Sequence, residues 1–187
     1  RSKKFSNMKQ KNFLKIAMLF IFAITSNQFF GQYAGTGTFT ELTSLANLTD
    51  GYYVIADKDS EKAMNNTNSG KFETTDITVA SSKVTNPATS IVWKIETNGS
   101  GRSIYNEAST KFASYSGSSN TAAEAASVTG DSERWTFTYA SSVFTVENIG
   151  TAGRILQYNP GAPRFACYTS NQDKLVLYKM DPPSSDP

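Results

Sequence analysis

The stretch Ile91-Val92-Trp93-Lys94-Ile95 decides the fold, because similar stretches recur at intervals of forty-two residues. The second copy is Glu133-Arg134-Trp135-Thr136-Phe137, and the third is Leu175-Val176-Leu177-Tyr178-Lys179. In each copy two large apolar residues stand two positions apart, which is the period of a half-buried β-strand. A fixed internal period of this length indicates a fold assembled from repeated units.

Two further signals recur in the same order around these copies. One is an apolar residue followed two positions later by Asp or Asn, at Ile55, Ile104 and Val146. The other is a second strand that begins near Ala63, Phe112 and Ile155. The chain therefore contains three units, Tyr52–Glu96, Gly101–Thr138 and Val143–Met180. The first unit is longer by about seven residues, which we expect in the polar run Ala80–Thr89.

Three units with about four short strands each predict an all-β fold, a β-trefoil of three ~42-residue units over residues 49–180. A single unit cannot bury its own apolar face, whereas three units around a pseudo-threefold axis close a barrel without free strand edges. We expect Trp93, Trp135 and Leu177 to meet near that axis. A β-sandwich is the alternative, since it also accommodates short strands and turns, but it does not predict a threefold period.

The N-terminal part has the pattern of a secretory signal peptide. From Met8 a basic segment precedes the apolar run Ile16–Ile24, which is shorter than the roughly 20 residues of a membrane-spanning helix. We expect a signal-peptide helix here and cleavage near Gly31-Gln32, so that residues 1–31 comprise upstream residues and the signal. The mature protein is then secreted, extracellular or at the cell surface, without stable membrane insertion.

The segment after Gln32 differs in charge from the whole chain. It holds twelve basic and sixteen acidic residues, a net charge of −4, because six of the basic residues lie before it. A mildly acidic module has no general attraction to phosphate backbones. Composition predicts a flexible leader at residues 32–48 and a Pro/Ser linker at residues 181–187, which would lead to a further domain.

The residue types exclude most catalytic chemistry. The chain has no histidine, which removes the usual general base and most zinc sites, and the single Cys167 forms no internal disulfide. The run Asp57–Glu61 begins like a calcium loop, but Lys62 and Asn68 stand where such a loop needs Gly and Glu, so an exposed turn is predicted instead. We therefore expect no catalytic residue, no metal and no cofactor in this segment.

A binding site is the better prediction, and the last unit supplies suitable residues. Glycans are bound by aromatic rings together with amide and hydroxyl groups. Strand alternation from Phe165 would turn Arg164, Ala166 and Tyr168 outward. The candidate ligand-binding residues are Tyr115, Tyr158, Asn159, Arg164, Tyr168 and Asn171. The alternative for each tyrosine is a half-buried place in the framework.

The units resemble those of the ricin-type β-trefoil superfamily. The Gln-x-Trp signature of that family is represented here by Ile91-Val92-Trp93, Glu133-Arg134-Trp135 and Leu175-Val176-Leu177, which lack the glutamine and the third tryptophan. The family's sugar-site residues are therefore not carried over. Thr38–Met180 is also similar to a module of secreted multidomain Bacteroidetes proteins. That resemblance implies an accessory module beside extracellular nuclease or other hydrolase domains, often with a type IX secretion sorting domain.

Three functions stay open at this stage. The first is a non-catalytic, monomeric binding module for carbohydrate or another extracellular polymer, which would hold an attached hydrolase near its substrate. The second is an accessory domain of a nuclease that contacts nucleic acid through Arg154, Arg164, Lys174 and Lys179. The third is a structural spacer. A hydrolase or nuclease domain downstream would give the full-length protein an activity that we do not expect of this segment.

Overall fold

The computed structural model describes residues 31–183, and within this range the chain is all-β. Its strands there are β1 (Thr38–Glu41), β2 (Gly51–Asp57), β3 (Lys62–Asn68), β4 (Phe72–Asp76), β5 (Lys83–Thr85), β6 (Val92–Asn98), β7 (Gly101–Asn106), β8 (Lys111–Ser114), β9 (Ala123–Ala125), β10 (Trp135–Ala140), β11 (Val143–Asn148), β12 (Ile155–Asn159), β13 (Arg164–Tyr168) and β14 (Leu175–Met180). Short 3₁₀ turns occupy Leu45–Asn47, Thr89–Ile91 and Asp131–Glu133. Residues 1–30, with the predicted signal peptide, and residues 184–187 of the predicted linker lie outside the described range. In that range no helix is long and apolar enough to span a bilayer.

Six strands form a closed barrel. Going around it, β2 pairs with β6, β6 with β7, β7 with β10, β10 with β11, β11 with β14, and β14 again with β2, always antiparallel. Each of these strands therefore has a partner on both sides, and the barrel has no free edge at which another chain could add a strand.

Three two-stranded hairpins complete the architecture, one in each unit. They are β3–β4, β8–β9 and β12–β13, and each is inserted between the two barrel strands of its unit. The units are thus β2-β3-β4-β6, β7-β8-β9-β10 and β11-β12-β13-β14. This is a β-trefoil, as the repeat predicts, and the β-sandwich alternative is wrong.

The apolar residues of the repeat form one core. Trp93 and Trp135 are completely or almost completely buried, and their indole nitrogens donate equivalent hydrogen bonds across the unit, to the Met64 carbonyl at 2.9 Å and the Ala113 carbonyl at 3.2 Å. Leu177 lies in the same core cluster. A buried indole needs a partner for its N–H, and the hairpin backbone supplies one in both units.

The register in the third unit differs by two residues from the prediction. Equivalent positions lie two residues before the repeated Ile55, Ile104 and Val146, and they are Tyr53, Arg102 and Phe144. These residues pair with Trp93, Trp135 and Leu175 respectively. Leu175 therefore occupies the third tryptophan position, and Leu177 corresponds to Ile95 and Phe137. The assignment of Leu177 to that position was wrong, because a strand shifted by two residues presents the same faces.

The segment predicted as a flexible leader contains an ordered strand instead. Within it, β1 pairs on one side with β14 and on the other with β5, and Phe39 is completely buried. The Gly/Thr-rich composition was misleading, because the buried side chain of Phe39 holds the strand in place. The extra residues of the first unit form β5, in the predicted run Ala80–Thr89, and β5 is the partner that β1 requires.

Candidate functional site

The β12–β13 hairpin of the third unit carries most of the predicted site residues. One face of the hairpin contributes Leu156, Tyr158, Phe165 and Cys167 to the core. Cross-strand pairs place Tyr168 opposite Ile155, Ala166 opposite Gln157, and Arg164 opposite Asn159 on the other face. We call the residues Gln157, Asn159, Arg164, Ala166 and Tyr168 the outer hairpin face.

Most of the outer hairpin face is shielded from solvent. Ala166 is fully buried and Tyr168 is only 3% exposed, so the predicted exposure of these two residues was wrong. The chain after β13 returns along the hairpin: the Gln157 amide nitrogen donates to the Gln172 carbonyl at 3.3 Å, and the backbones of Tyr158 and Asp173 exchange hydrogen bonds. Alternation predicts solvent exposure only where nothing packs on the second face of a strand.

Three polar atoms of the outer hairpin face lack hydrogen bonds. Arg164 Nε, Tyr168 Oη and Gln157 Oε1 are each buried and have no partner among the described residues. Buried polar groups are normally paired, and an unpaired one costs about 1–3 kcal/mol. A donor, a hydroxyl and an acceptor on one face are the groups that a polyhydroxylated ligand would pair with.

In the first unit, the residues equivalent to Gln157 and Tyr168 are hydrogen-bonded to each other. Asn65 stands two residues after Ala63, as Gln157 does after Ile155, and Thr75 is paired opposite Ala63, as Tyr168 is opposite Ile155. Asn65 Nδ2 donates to Thr75 Oγ1 at 2.7 Å, so this hairpin closes its own polar pair.

The second unit has no such pair to close. There the equivalent residues are Ser114 and Ala125, since Ala125 is paired opposite Phe112, and alanine has no polar side chain. Among the three hairpins, the third combines two polar side chains at these positions with no hydrogen bond between them.

Asn159 and Asn171 lie at the borders of the outer hairpin face. Asn159 Oδ1 accepts hydrogen bonds from the backbone nitrogens of Gly161 at 3.0 Å and Ala162 at 3.2 Å, so it stabilises the hairpin turn. Asn171 is exposed in the connection between β13 and β14. Sequence reasoning missed Gln157, although its place in the repeat, equivalent to that of Asn65, is visible in the sequence.

Tyr158 and Tyr115 belong to the framework, which was the alternative for each. Tyr158 is 2% exposed and packs on Phe165 with ring centroids 5.2 Å apart. Tyr115 lies in the second unit, is 1% exposed and donates its hydroxyl proton to the Ser119 carbonyl at 2.9 Å. Neither ring presents a free face on which a sugar could stack.

The basic residues considered for nucleic acid do not all point to solvent. Arg154 lies over the Tyr115 ring at 5.4 Å and donates to the Ser119 carbonyl and to Asn120 Oδ1. Lys179 donates to Thr49 Oγ1. The pKa of its ammonium group is lowered mainly by burial and then by the positive charge of Arg102. These two cations are committed to contacts inside the domain.

The acidic run after β2 is a capped turn. Asp57 Oδ2 accepts hydrogen bonds from the backbone nitrogen of Ser60 at 2.7 Å, from its hydroxyl at 2.6 Å, and from the Asp59 nitrogen at 3.0 Å. In residues 31–183 no group of three or more His, Cys, Asp or Glu side chains is arranged to hold a metal ion.

Comparison with known proteins supports the fold. A lectin from Polyporus squamosus, bound to a sialylated epitope, superposes with a TM-score of 0.55 at 15% identity, over 70% of this chain and 49% of the lectin chain. The designed threefold-symmetric protein ThreeFoil gives 0.54 at 15% identity, over 70% and 99% of the two chains. The BEL β-trefoil gives 0.55 at 15% identity, over 70% and 92%.

The chain thus spans about half the length of the Polyporus lectin. No protein-family model matches the chain, and no curated protein matches it. At identities this low, the structural similarity establishes a β-trefoil and leaves the ligand to be inferred from the chain's own residues.

Proposed function

We propose that this domain is a non-catalytic glycan-binding module and that its site is the outer hairpin face of the third unit. The observation that carries the proposal is that Gln157 Oε1 and Tyr168 Oη are unpaired at positions where Asn65 and Thr75 bond to each other. Adding Arg164 Nε gives hydrogen-bonding groups of both polarities, which suit sugar hydroxyls that donate and accept.

A glycan would reach these groups from the side of the connection between β13 and β14. Arg164 is half-buried and Asn171 is exposed, so both border the route to the buried atoms. Binding would require only residues 169–172 to move away from Gln157, whose side chain contacts the Gln172 carbonyl through one hydrogen bond at 3.3 Å, while the two backbone hydrogen bonds between Tyr158 and Asp173 stay in place. A side-chain bond of this length is weak, and its loss costs about 1 kcal/mol.

The biological setting is part of the same proposal. The domain would be secreted after removal of the predicted signal peptide and would act as a monomer. A module of this kind keeps an attached hydrolase at its polymer substrate, because tethering raises the effective concentration. Nucleic-acid binding receives less support, since Arg154 and Lys179 are occupied by contacts within the domain.

The experiment compares single variants on a panel of immobilised glycans. Tyr168→Phe removes one unpaired hydroxyl and should weaken retention on the bound glycan by about 2- to 10-fold, the equivalent of one hydrogen bond. Thr75→Val removes the hydroxyl at the equivalent position of the first unit and serves as the matched control, for which retention should stay unchanged.

Two results would refute the proposal. One is the absence of retention on every glycan of a broad panel, which would favour the structural spacer. The other is an equal loss of retention for Tyr168→Phe and Thr75→Val, which would show that the third hairpin has no special role. Binding to nucleic acid that weakens steeply with salt would instead support the nuclease-associated alternative.

A further inference from the structure

A cleft lies on a different part of the domain, lined by the N-terminal segment, the first unit and the turn that follows β7. It encloses about 120 Å³ and is lined in part by Gln32, Tyr33, Tyr52, Thr89 and Glu107. A single water needs about 10–15 Å³, so the cleft has room for a small polar group.

The polar atoms of this cleft leave one negative charge without a partner. Tyr52 donates its hydroxyl proton to Glu107 Oε1 at 2.5 Å, and Tyr33 donates to the Pro87 carbonyl at 2.6 Å. Both hydroxyl protons are therefore used inside the domain. Glu107 Oε2 is buried and, among the described residues, has no hydrogen-bond partner.

No cationic side chain compensates this carboxylate. The described residues that line the cleft include no lysine or arginine, and the nearby Lys94 ammonium is paired with Glu96 at 2.7 Å. Burying an unpaired carboxylate is costly, and a hydrogen-bonded positive charge relieves that cost. The rings of Tyr33 and Tyr52, with centroids 6.4 Å apart, add aromatic surface, which also favours a cation.

We propose that the cleft receives a primary ammonium group, which donates to Glu107 Oε2 beside the rings of Tyr33 and Tyr52. Two sources share this chemistry. One is the α-ammonium of Gln32, which lines the cleft and would become the N-terminus if the signal peptide is removed at the predicted site. The other is the amine of an external ligand. This inference is independent of the glycan site.

The test uses two forms of the protein. In the full chain the Gln32 nitrogen is an amide, whereas a chain that begins at Gln32 carries an α-ammonium there. The shorter form retains the complete barrel and core, which lie within the compact unit that begins at Gln32. Ethylammonium is titrated into both forms by NMR, with ethanol as the neutral probe of similar size. Mass spectrometry confirms that the terminal glutamine has not cyclised.

If the chain's own terminus is the source, ethylammonium shifts the amide signals near Glu107 in the full chain only. Acetylation of the Gln32-terminated form then lowers its melting temperature and restores ethylammonium binding. If the source is external, both forms bind ethylammonium and acetylation changes nothing. In either case Glu107→Gln, which keeps the acceptor for Tyr52, weakens amine binding at least tenfold.

Glu73→Gln is the control, because it removes an exposed carboxylate of β4 that does not line the cleft, and it should leave amine binding intact. The proposal is overturned if ethylammonium binds neither form while acetylation and Glu107→Gln leave the melting temperature unchanged. It is also overturned if ethanol binds as well as ethylammonium, or if the two glutamine variants behave alike.

Discussion

One position of the repeat holds Asn in two units and Asp in the other. Asn106 Nδ2 donates to the Val92 carbonyl at 3.0 Å, and Asn148 Nδ2 donates to the Arg134 carbonyl at 3.4 Å and the Ser132 carbonyl at 2.9 Å. In both units the acceptors lie at or just before the first residue of the neighbouring barrel strand, and the Asn side chain joins the ends of two paired strands.

Asp57 takes this position in the first unit but has no amide to donate. Its Oδ2 accepts from the Ser60 nitrogen, three residues on, as the Oδ1 atoms of Asn106 and Asn148 do from Ser109 and Thr151. Its Oδ1 is buried without a partner among the described residues. The backbone nitrogen of Lys58 donates to the Lys174 carbonyl at 3.3 Å, just as that of Ile149 donates to Arg134, so Lys174 offers the equivalent acceptor.

We therefore predict that Asp57→Asn stabilises the domain. The new Nδ2 would pair with the Lys174 carbonyl and remove an unsatisfied buried atom, a gain of about 1–3 kcal/mol. Replacing a charged acceptor weakens the three turn hydrogen bonds by about 1 kcal/mol in total. Loss of the charge also relieves repulsion with Asp173, whose pKa is raised by burial and then by the charges of Asp57 and Asp59.

The hydrogen-bond terms give a net gain of up to about 2 kcal/mol, to which the relieved repulsion adds, and the melting temperature of a domain of this size should rise by up to about 8 °C. Calorimetry and urea unfolding would measure it. Asn148→Asp is the reciprocal control and should cost at least about 2 kcal/mol, because it creates the defect that Asp57 now carries. The reasoning fails if Asp57→Asn is neutral or destabilising, or if Asn148→Asp is tolerated.

Three other predictions concern the framework. Phe39→Ala should lower the free energy of unfolding in urea by about 3–5 kcal/mol, because the Phe39 side chain is buried in the core. A loss below about 1 kcal/mol would instead support the predicted flexible leader. Ser142→Gly should add about 1 kcal/mol, since Ser142 has φ 62° in the β10–β11 turn, whereas Thr145→Gly within β11 should destabilise. Burial raises the pKa of the Cys167 thiol to about 12, so iodoacetamide at pH 8 should label it only after unfolding. The thiol of the unfolded chain loses its proton at a lower pH than the buried thiol, so the free energy of unfolding should fall as the pH rises above about 9. Rapid labelling of the folded protein would contradict the burial of Cys167.

The sequence predicted the barrel because its signals are local. The repeated residues Ile55, Ile104 and Val146 all lie in barrel strands, and the repeat of apolar alternation identifies the strands that pair with them. The register of the third unit could not be read in the same way. Leu175 and Leu177 are the same residue type on the same face of one strand, and only the pairing with Phe144 distinguishes them.

The candidate site was harder to predict, because exposure depends on what packs against a hairpin. Tyr168 lies on the face that alternation assigns to solvent, yet the chain after β13 returns over that face. Gln157 was missed because an amide in a strand carries no signal of its own. Comparing it with Asn65 would have shown that the third unit changes a matched polar pair, which is a more informative clue than the aromatic residues.

The unsatisfied polar groups are of two kinds, a structural defect at Asp57 and the proposed ligand-binding groups of the outer hairpin face, and the variants above distinguish them. The Asp57 defect is a single enclosed oxygen, so its repair should stabilise the domain and leave glycan retention unchanged. Tyr168→Phe also removes an unpaired buried atom and should stabilise the domain by about 1 kcal/mol, but it should weaken retention. A gain in stability with a loss of binding is the expected behaviour of a group whose partner is a ligand, because stabilising substitutions at a functional site commonly reduce function. If both variants stabilise the domain and neither affects retention, the polar atoms of the outer hairpin face are structural defects of the same kind as Asp57.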